Sequence, residues 1–453
     1  MKKNYRSVIA GLTTSREARG CNLIVLILIL SLLLTACATP ALSPPDVTNP
    51  DPPDRITTEN HSENPSESDS LMEDVTRNPV AGKSGDDTFI TSMADFSIDI
   101  FQRSIEEKEN SLVSPLSVML ALAMTANGAD GETLDQMEKV LGRGISLNDL
   151  NEYLYSYVKG LPSEESSKLL IANSIWFRDD AGRLTVEPDF LQINADYYDA
   201  ALFKAAFDDS TVAEINTWVS ENTDGMIDKL LDSIDSSKML YLINAVMFDA
   251  EWVNKYDSEW NVNEGDFTNI NGEVQSAQFM RARESIFVDD GKAKGFVKPY
   301  VGGYSFVAML PNEGISLASY IESLTGTGFV SMLNQARSSF GDIETFIPKF
   351  EYEYKIEMND PLIAMGMPIA FDMNNADFFR MGNSPDGRLY IGDVLHKTYI
   401  AVNESGTRAG AVTSVSIEAQ SMPPSLRFDR PFLYAIIDDA TNLPIFIGTL
   451  VSL

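Results

Sequence analysis

The sequence predicts an α+β fold with large antiparallel sheets, and three observations carry that expectation. The stretch "SPLSVMLALAMTANGA" (residues 114–129) is apolar all round at helical spacing, so it reads as a helix with no face left for solvent. "LLIANSIWF" (169–177) and "KMLYLINAVMF" (238–248) are β-suited runs too apolar to be half exposed. The tail "PFLYAIIDDATNLPIFIGTL" (431–450) reads as two apolar strands around a polar turn at Asp438 to Asn442. Helical and extended patterns are mixed along one chain, which points to helices packed on antiparallel sheets.

In chain order, residues 1–36 lie outside the expected fold. Lys2, Lys3, Arg6, Arg16 and Arg19 make a positive region, "NLIVLILILSLLL" is apolar, and "LTAC" closes the segment at Cys37. The pattern resembles a bacterial lipoprotein signal, which implies cleavage before Cys37 and a lipid on its thiol. A membrane-spanning helix fits less well, because the apolar run falls short of the ~20 residues needed and no basic flank follows it. The resemblance places the protein outside the cytoplasm, anchored by lipid to a cell membrane or outer membrane with its domain exposed. Cys21 leaves with the signal and Cys37 carries the anchor, so neither of the two cysteines is free for a disulfide.

Residues 37–88 are expected to be the lipidated cysteine and a disordered acidic, Pro-rich tether. From 38 to 88 there are eight Pro, eleven Asp or Glu, three basic residues and no aromatic, too little apolar surface to offset ordering entropy. A globular domain is expected over 89–453, with no repeat. It begins helically, with Phe89, Met93, Phe96 and Ile100 on one face. Ser114 stands at an N-cap position before Pro115, and "TLDQMEKVLG" (133–142) forms a further helix stopped at Gly142. "EINTWVSENTDGMI" (214–227) has helical periodicity, and "YSFVAMLP" (304–311) reads as a central strand.

Charge and chemistry narrow the function. Without residues 1–36 the chain has 29 basic against 65 acidic residues, so nucleic acid and anionic membrane surfaces are poor partners. The two histidines, His61 in the tether and His396 in the domain, exclude a multi-histidine metal site. There is no G-x-S-x-G elbow, P-loop or dinucleotide fingerprint, and carboxylate pairs carry no specificity in so acidic a chain. No enzyme, metal or cofactor chemistry is expected.

Six stretches, in order, resemble the serpin family: "NSLVSPLS" (110–117), "NTDGMI" (222–227), "YLINAVMFDAEW" (241–252), "IPKFEYEY" (347–354), "VLHKTYIAVNESGTRAGAVTSV" (394–415) and "FDRPFLYAI" (428–436). The resemblance covers 89–453. It implies three β-sheets, eight or nine helices and an exposed reactive loop near the C-terminus that can insert into the main sheet as a strand. The implied function is suicide-substrate inhibition of an extracellular serine protease, subtilisin-like or elastase-like, with a papain-like cysteine protease as the alternative target and a monomer as the acting species. A non-inhibitory, surface-displayed binding or structural protein is the alternative function.

The loop residues suit strand entry. Counting alternately, Thr407, Ala409, Ala411, Thr413, Val415 and Ile417 form a small or apolar face, while Arg408 and Glu418 fall on the other. Glu404, Gly406, Thr407, Ala409 and Ala411 match the short-chained hinge of inhibitory members, with Arg408 and Gly410 departing from its usual alanine run. Family spacing places the reactive bond at Gln420–Ser421, with Ala419–Gln420 and Ser421–Met422 as alternatives. Ser114, Ser117, Asn244 and His396 resemble the polar cluster beneath the opening of the main sheet, and Trp252 resembles the aromatic residue near its top.

Overall fold

The structure is a computed structural model describing residues 68–179, 182–256, 261–338, 340–407 and 424–453. The first half of the chain runs β1 (Asp69–Ser70), α1 (Asp87–Ser104), β2 (Ser111–Val113), α2 (Pro115–Ala126), α3 (Gly131–Leu141), α4 (Leu147–Gly160), β3 (Ser167–Arg178), β4 (Thr185–Val186), α5 (Pro188–Tyr198), β5 (Ala201–Ala205) and α6 (Asp209–Asn222). Five strands follow: β6 (Leu240–Glu251), β7 (Val262–Thr268), β8 (Val274–Asp289), β9 (Ala293–Pro299) and β10 (Tyr304–Pro311). Then come α7 (Leu317–Glu322), α8 (Gly326–Ser338), β11 (Phe340–Pro348), β12 (Phe350–Glu357) and α9 (Asn359–Met365). The chain closes with β13 (Gly382–Asn383), β14 (Ile391–Val402), β15 (Gly406–Thr407), β16 (Ser425–Arg427), β17 (Phe432–Asp438) and β18 (Pro444–Leu450).

These strands make three sheets. The main sheet has seven strands in the order β1-β5-β3-β6-β15-β14-β12, the second has nine, and β13 pairs with β4 in a short ribbon. With nine α-helices among the described residues, the architecture is the α+β fold of three sheets that the resemblance implies. The buried helix α2 explains the layering, since it packs on β3 and β6 of the main sheet and on β18 of the second. Every residue of α2 is buried, which is why its sequence lacks a polar face. Helix α1 starts where the Asp86 carboxylate accepts the Phe89 N–H at 2.9 Å, and Phe89, Met93, Phe96 and Ile100 all face the core.

Three expectations need correction. The tether does not reach residue 88: β1 pairs with β5, and the Leu71 N–H donates to the Leu202 carbonyl at 2.9 Å. Leu71 and Met72 pack against the main core, and Lys83 reaches Asp149 at 2.9 Å. The low apolar average of the segment conceals this two-residue anchor, and the unpaired edge of β5 supplies its backbone partners. Helix α6 stops at Asn222, because Asp224 and Gly225 turn left-handed at φ 50° and 70° before Met226 and Ile227. Strand β3 is half exposed over Leu169 to Ile171. Ser114 does occupy the N-cap of α2, yet its side chain makes no capping bond.

The Leu71–Met72 anchor gives a prediction. Replacing both with Ala should lower unfolding free energy by about 2 kcal/mol, because the sites are partly rather than fully buried. Urea denaturation of the full chain checks this, and an unchanged midpoint would mean that the anchor follows the fold without stabilising it.

Candidate functional site: the fork in the main sheet

Strands β6 and β14 are parallel neighbours over only part of their length. They pair from Leu240 with Ile391 up to Val246 with Thr398 and diverge above, where β15 sits between them. Thr407 pairs with Ala250 on one side and Val402 on the other, and Gly406 pairs with Glu251. The main sheet is therefore closed below and forked above, with Gly406 and Thr407 of the expected hinge already seated in the fork. Glycine is required at 406, because a Cβ there would collide with the Ala250 carbonyl of β6.

The fork's upper end is held by several bonds. The backbone N–H of Trp252 donates to the Ser405 carbonyl at 3.0 Å, and that of Tyr256 to the Glu404 carbonyl at 2.9 Å. The Trp252 indole N–H donates to the Asn403 carbonyl at 2.9 Å, and its ring stacks on Tyr300 with centroids 4.1 Å apart. The Tyr300 hydroxyl lies 2.6 Å from the Thr407 hydroxyl, so Thr407 faces the core, on the small, apolar face that alternation assigned to it. Glu404 pairs with Lys349 at 2.7 Å. Burial works to raise the Glu404 carboxyl, and the Lys349 ammonium outweighs it, holding the group below the usual carboxylate range.

Below the fork lies the polar cluster. Asn173, Asn244 and His396 stand side by side across β3, β6 and β14, in register as Asn173 with Asn244 and Asn244 with His396. The Ser114 backbone N–H donates to His396 Nε2 at 3.1 Å, so that nitrogen is an acceptor. The remaining nitrogen, Nδ1, then carries the proton and donates to Asn244 Oδ1, which assigns a neutral tautomer. The Asn244 amide in turn donates to Ser117 Oγ and to Asn173 Oδ1. Ser114 thus serves the cluster through its backbone, and its hydroxyl has no hydrogen-bond partner among the described residues. Burial pushes His396 down to about 3, and a proton on Nε2 would also confront the Ser114 N–H.

The structure brings together Ser114, Ser117, Asn244 and His396, and places Glu404, Gly406, Thr407 and Trp252 at the fork. Ala409, Ala411, the bond Gln420–Ser421 and the anchor Cys37 lie outside the described residues. Asn173, Tyr300 and Lys349 are participants that sequence reasoning missed. The strand alternation of "LLIANSIWF" could have flagged Asn173, a lone amide inside an apolar run.

His396 yields a pH prediction. Its folded value lies below the ordinary 6.5, so its contribution to stability is complete above pH 6.5 and is lost as pH falls toward about 3. The slope is about 1.4 kcal/mol per pH unit for this one group. His396→Gln should flatten that part of the wild-type curve in urea denaturation at stepped pH. Removing the ring in His396→Ala should weaken the closed sheet and give loop–sheet polymers on native gels after mild heating. A monomer that survives heating unchanged would contradict the second expectation.

The family model described as Serpin (serine protease inhibitor) matches residues 91–453. An uncharacterized serpin-like protein of Methanosarcina acetivorans is 30% identical over 367 residues, which is 79% of this chain and 84% of that relative. The crystal structure of the thermophilic serpin tengpin in its native state matches with a TM-score of 0.82 and 53% identity, covering 86% of this chain and 100% of that one. Tengpin in its latent state matches with 0.73 and 54% identity, covering 82% and 100%. Among the described residues, three sheets with a forked central one and nine helices, together with these matches, lead to one assignment: the chain belongs to the serpin family of serine protease inhibitors.

Proposed function

We propose that this chain is a suicide-substrate inhibitor of an extracellular serine protease, displayed on a cell surface through a lipid on Cys37. The observation that carries the reading is the register of the hinge. With Thr407 opposite Ala250 and Val402, each further loop residue steps down one residue on both neighbours. Once inserted in that register, Ala409 would face Phe248 and Ile400, Ala411 would face Val246 and Thr398, and Thr413 would face Asn244 and His396. The small alanines would enter between Phe248, Ile400, Val246 and Thr398, and the Thr413 hydroxyl would enter where the row is polar.

The mechanism is the one that membership of the serpin family implies, fitted to that register. The target's nucleophilic oxygen attacks the Gln420 carbonyl, the Gln420–Ser421 bond breaks, and an acyl-enzyme forms with Ser421 as the leaving amine. Residues 408–418 then enter between β6 and β14 and extend β15 to a strand of roughly 40 Å at ~3.3 Å per residue, antiparallel to both. Entry replaces the parallel contact from Leu240 to Val246, and the Thr413 hydroxyl takes up polar partners that Asn244 and His396 give up when they separate. The enzyme, tethered two residues beyond Glu418, is carried along. Displacement of its catalytic groups by ~1 Å costs about 10²-fold in rate, and loss of an oxyanion donor about 10²–10³-fold, so the acyl bond persists.

Subtilisin-like and elastase-like enzymes fit the small residues around Ala419, with papain-like cysteine proteases as the alternative. The acting species is a monomer, and the lipid places the domain outside the cytoplasm.

The test is to incubate the chain with these proteases and separate the products under denaturing conditions. A covalent band at the summed mass and a released 33-residue peptide beginning at Ser421 are expected. Thr413→Arg should keep cleavage at that bond but lose the complex, because the inserting strand would bury an unpaired guanidinium against His396. Loop cleavage by the whole panel with no complex and no gain in heat stability would favour the non-inhibitory reading.

A further inference from the structure

A buried ion pair lies just behind the fork. Lys298 of β9 donates to Glu284 of β8 at 2.8 Å, with side chains only 2% and 7% exposed. Such a pair is costly to desolvate, and apolar residues of similar volume often serve stability as well or better. Burial pushes the Glu284 carboxyl up, with Lys298 pulling against it. Stability alone does not account for the pair, and its surroundings suggest a different role.

The Lys298 ammonium sits 4.3 Å from the Tyr256 ring centroid and 5.4 Å from that of Trp252. These are the two residues whose backbone amides hold the Glu404 and Ser405 carbonyls. The Tyr256 hydroxyl is buried and has no hydrogen-bond partner among the described residues, so ring contacts and its backbone bond are what fix it. Trp252 packs edge-on against Tyr256 and face-on against Tyr300, whose hydroxyl meets Thr407. One continuous set of contacts therefore joins Glu284 and Lys298, through three aromatic rings, to hinge residues 403–407.

We infer that Lys298, oriented by Glu284, is a positioning residue for loop insertion: its ammonium holds Tyr256 and Trp252 so that their amides pin the hinge, and thereby sets the register in which the loop enters the main sheet. This rests on the inhibitory reading above. Insertion leaves the 403–407 turn in place and adds residues beyond it, so the turn is the pivot of the movement. A loosened pivot delays correct entry, and delay gives the target time to hydrolyse the acyl bond and escape.

The experiment compares wild type with Lys298→Met and with the double variant Lys298→Met/Glu284→Leu. The single variant strands a buried carboxylate and can misfold, whereas the double removes the charge problem. Two quantities are read: hydrogen exchange of the peptide spanning 252–256, with α3 as the internal reference, and the number of inhibitor molecules consumed per protease trapped. In the double variant, with urea stability at or above wild type, exchange at 252–256 is expected to rise about tenfold with α3 unchanged. Inhibitor consumption is expected to rise about threefold or more, in keeping with loss of a contact worth a few-fold in rate. Wild-type values of either quantity in the folded double variant would overturn the inference while leaving inhibition intact. A wild-type chain that is cut in the loop, traps no protease and gains no heat stability would overturn both.

Discussion

The structure depends on a single contact between two parallel strands that is complete below and divided above. Strands β6 and β14 share backbone hydrogen bonds only as far as Val246 and Thr398, and the hinge at Gly406–Thr407 occupies the start of the division. A continuous apolar seam along these strands would resist separation through every buried side chain. A row of Asn173, Asn244 and His396 resists differently, because directional bonds can be exchanged for equivalent bonds to an incoming hydroxyl. In the proposed insertion, the closed sheet is thus specific without being permanent.

Electrostatics reinforce this arrangement at two levels. In the middle, His396 is neutral because both ring nitrogens are committed in one tautomer, the acceptor to Ser114 and the donor to Asn244. At the top, the Glu404–Lys349 pair and the backbone bonds from Trp252 and Tyr256 hold the turn that leads into the loop. The buried Lys298–Glu284 pair lies behind those aromatic rings and ties them to the second sheet. No disulfide crosses the domain, since both cysteines precede residue 38, so no covalent link opposes separation of the strands.

Much of this was legible before any coordinates. Hydrophobic periodicity located α1, α2 and α3, and continuous apolar runs located β3, β6, β10, β17 and β18 within a few residues. Departures arose where local pattern met a neighbour it could not foresee. The segment around Leu71 reads as polar linker until the bare edge of β5 is in place to receive it. Ser114 stands at the N-cap of α2 as its sequence reads, but that its backbone N–H is directed to His396, 282 residues away in the chain, has no local signal. Asn173 carries no local signal beyond being an amide among apolar neighbours, and its role appears only when β3 lies against β6.

The order of residues was sufficient to establish a mixed fold with a helix buried on all sides, a domain after residue 38 without cysteines and a small-residue stretch able to alternate as a strand, since each follows from composition or short-range period. It was sufficient as well to group Ser114, Ser117, Asn244 and His396 through resemblance. Packing in three dimensions settled which nitrogen of His396 accepts, how far β15 penetrates between β6 and β14, and which cation stands over Trp252 and Tyr256. Those features join residues dozens to hundreds of positions apart. Hydrogen-bond direction, strand register and ring contact are relations between such partners, and they exist only once the sheets bring them within a few ångströms.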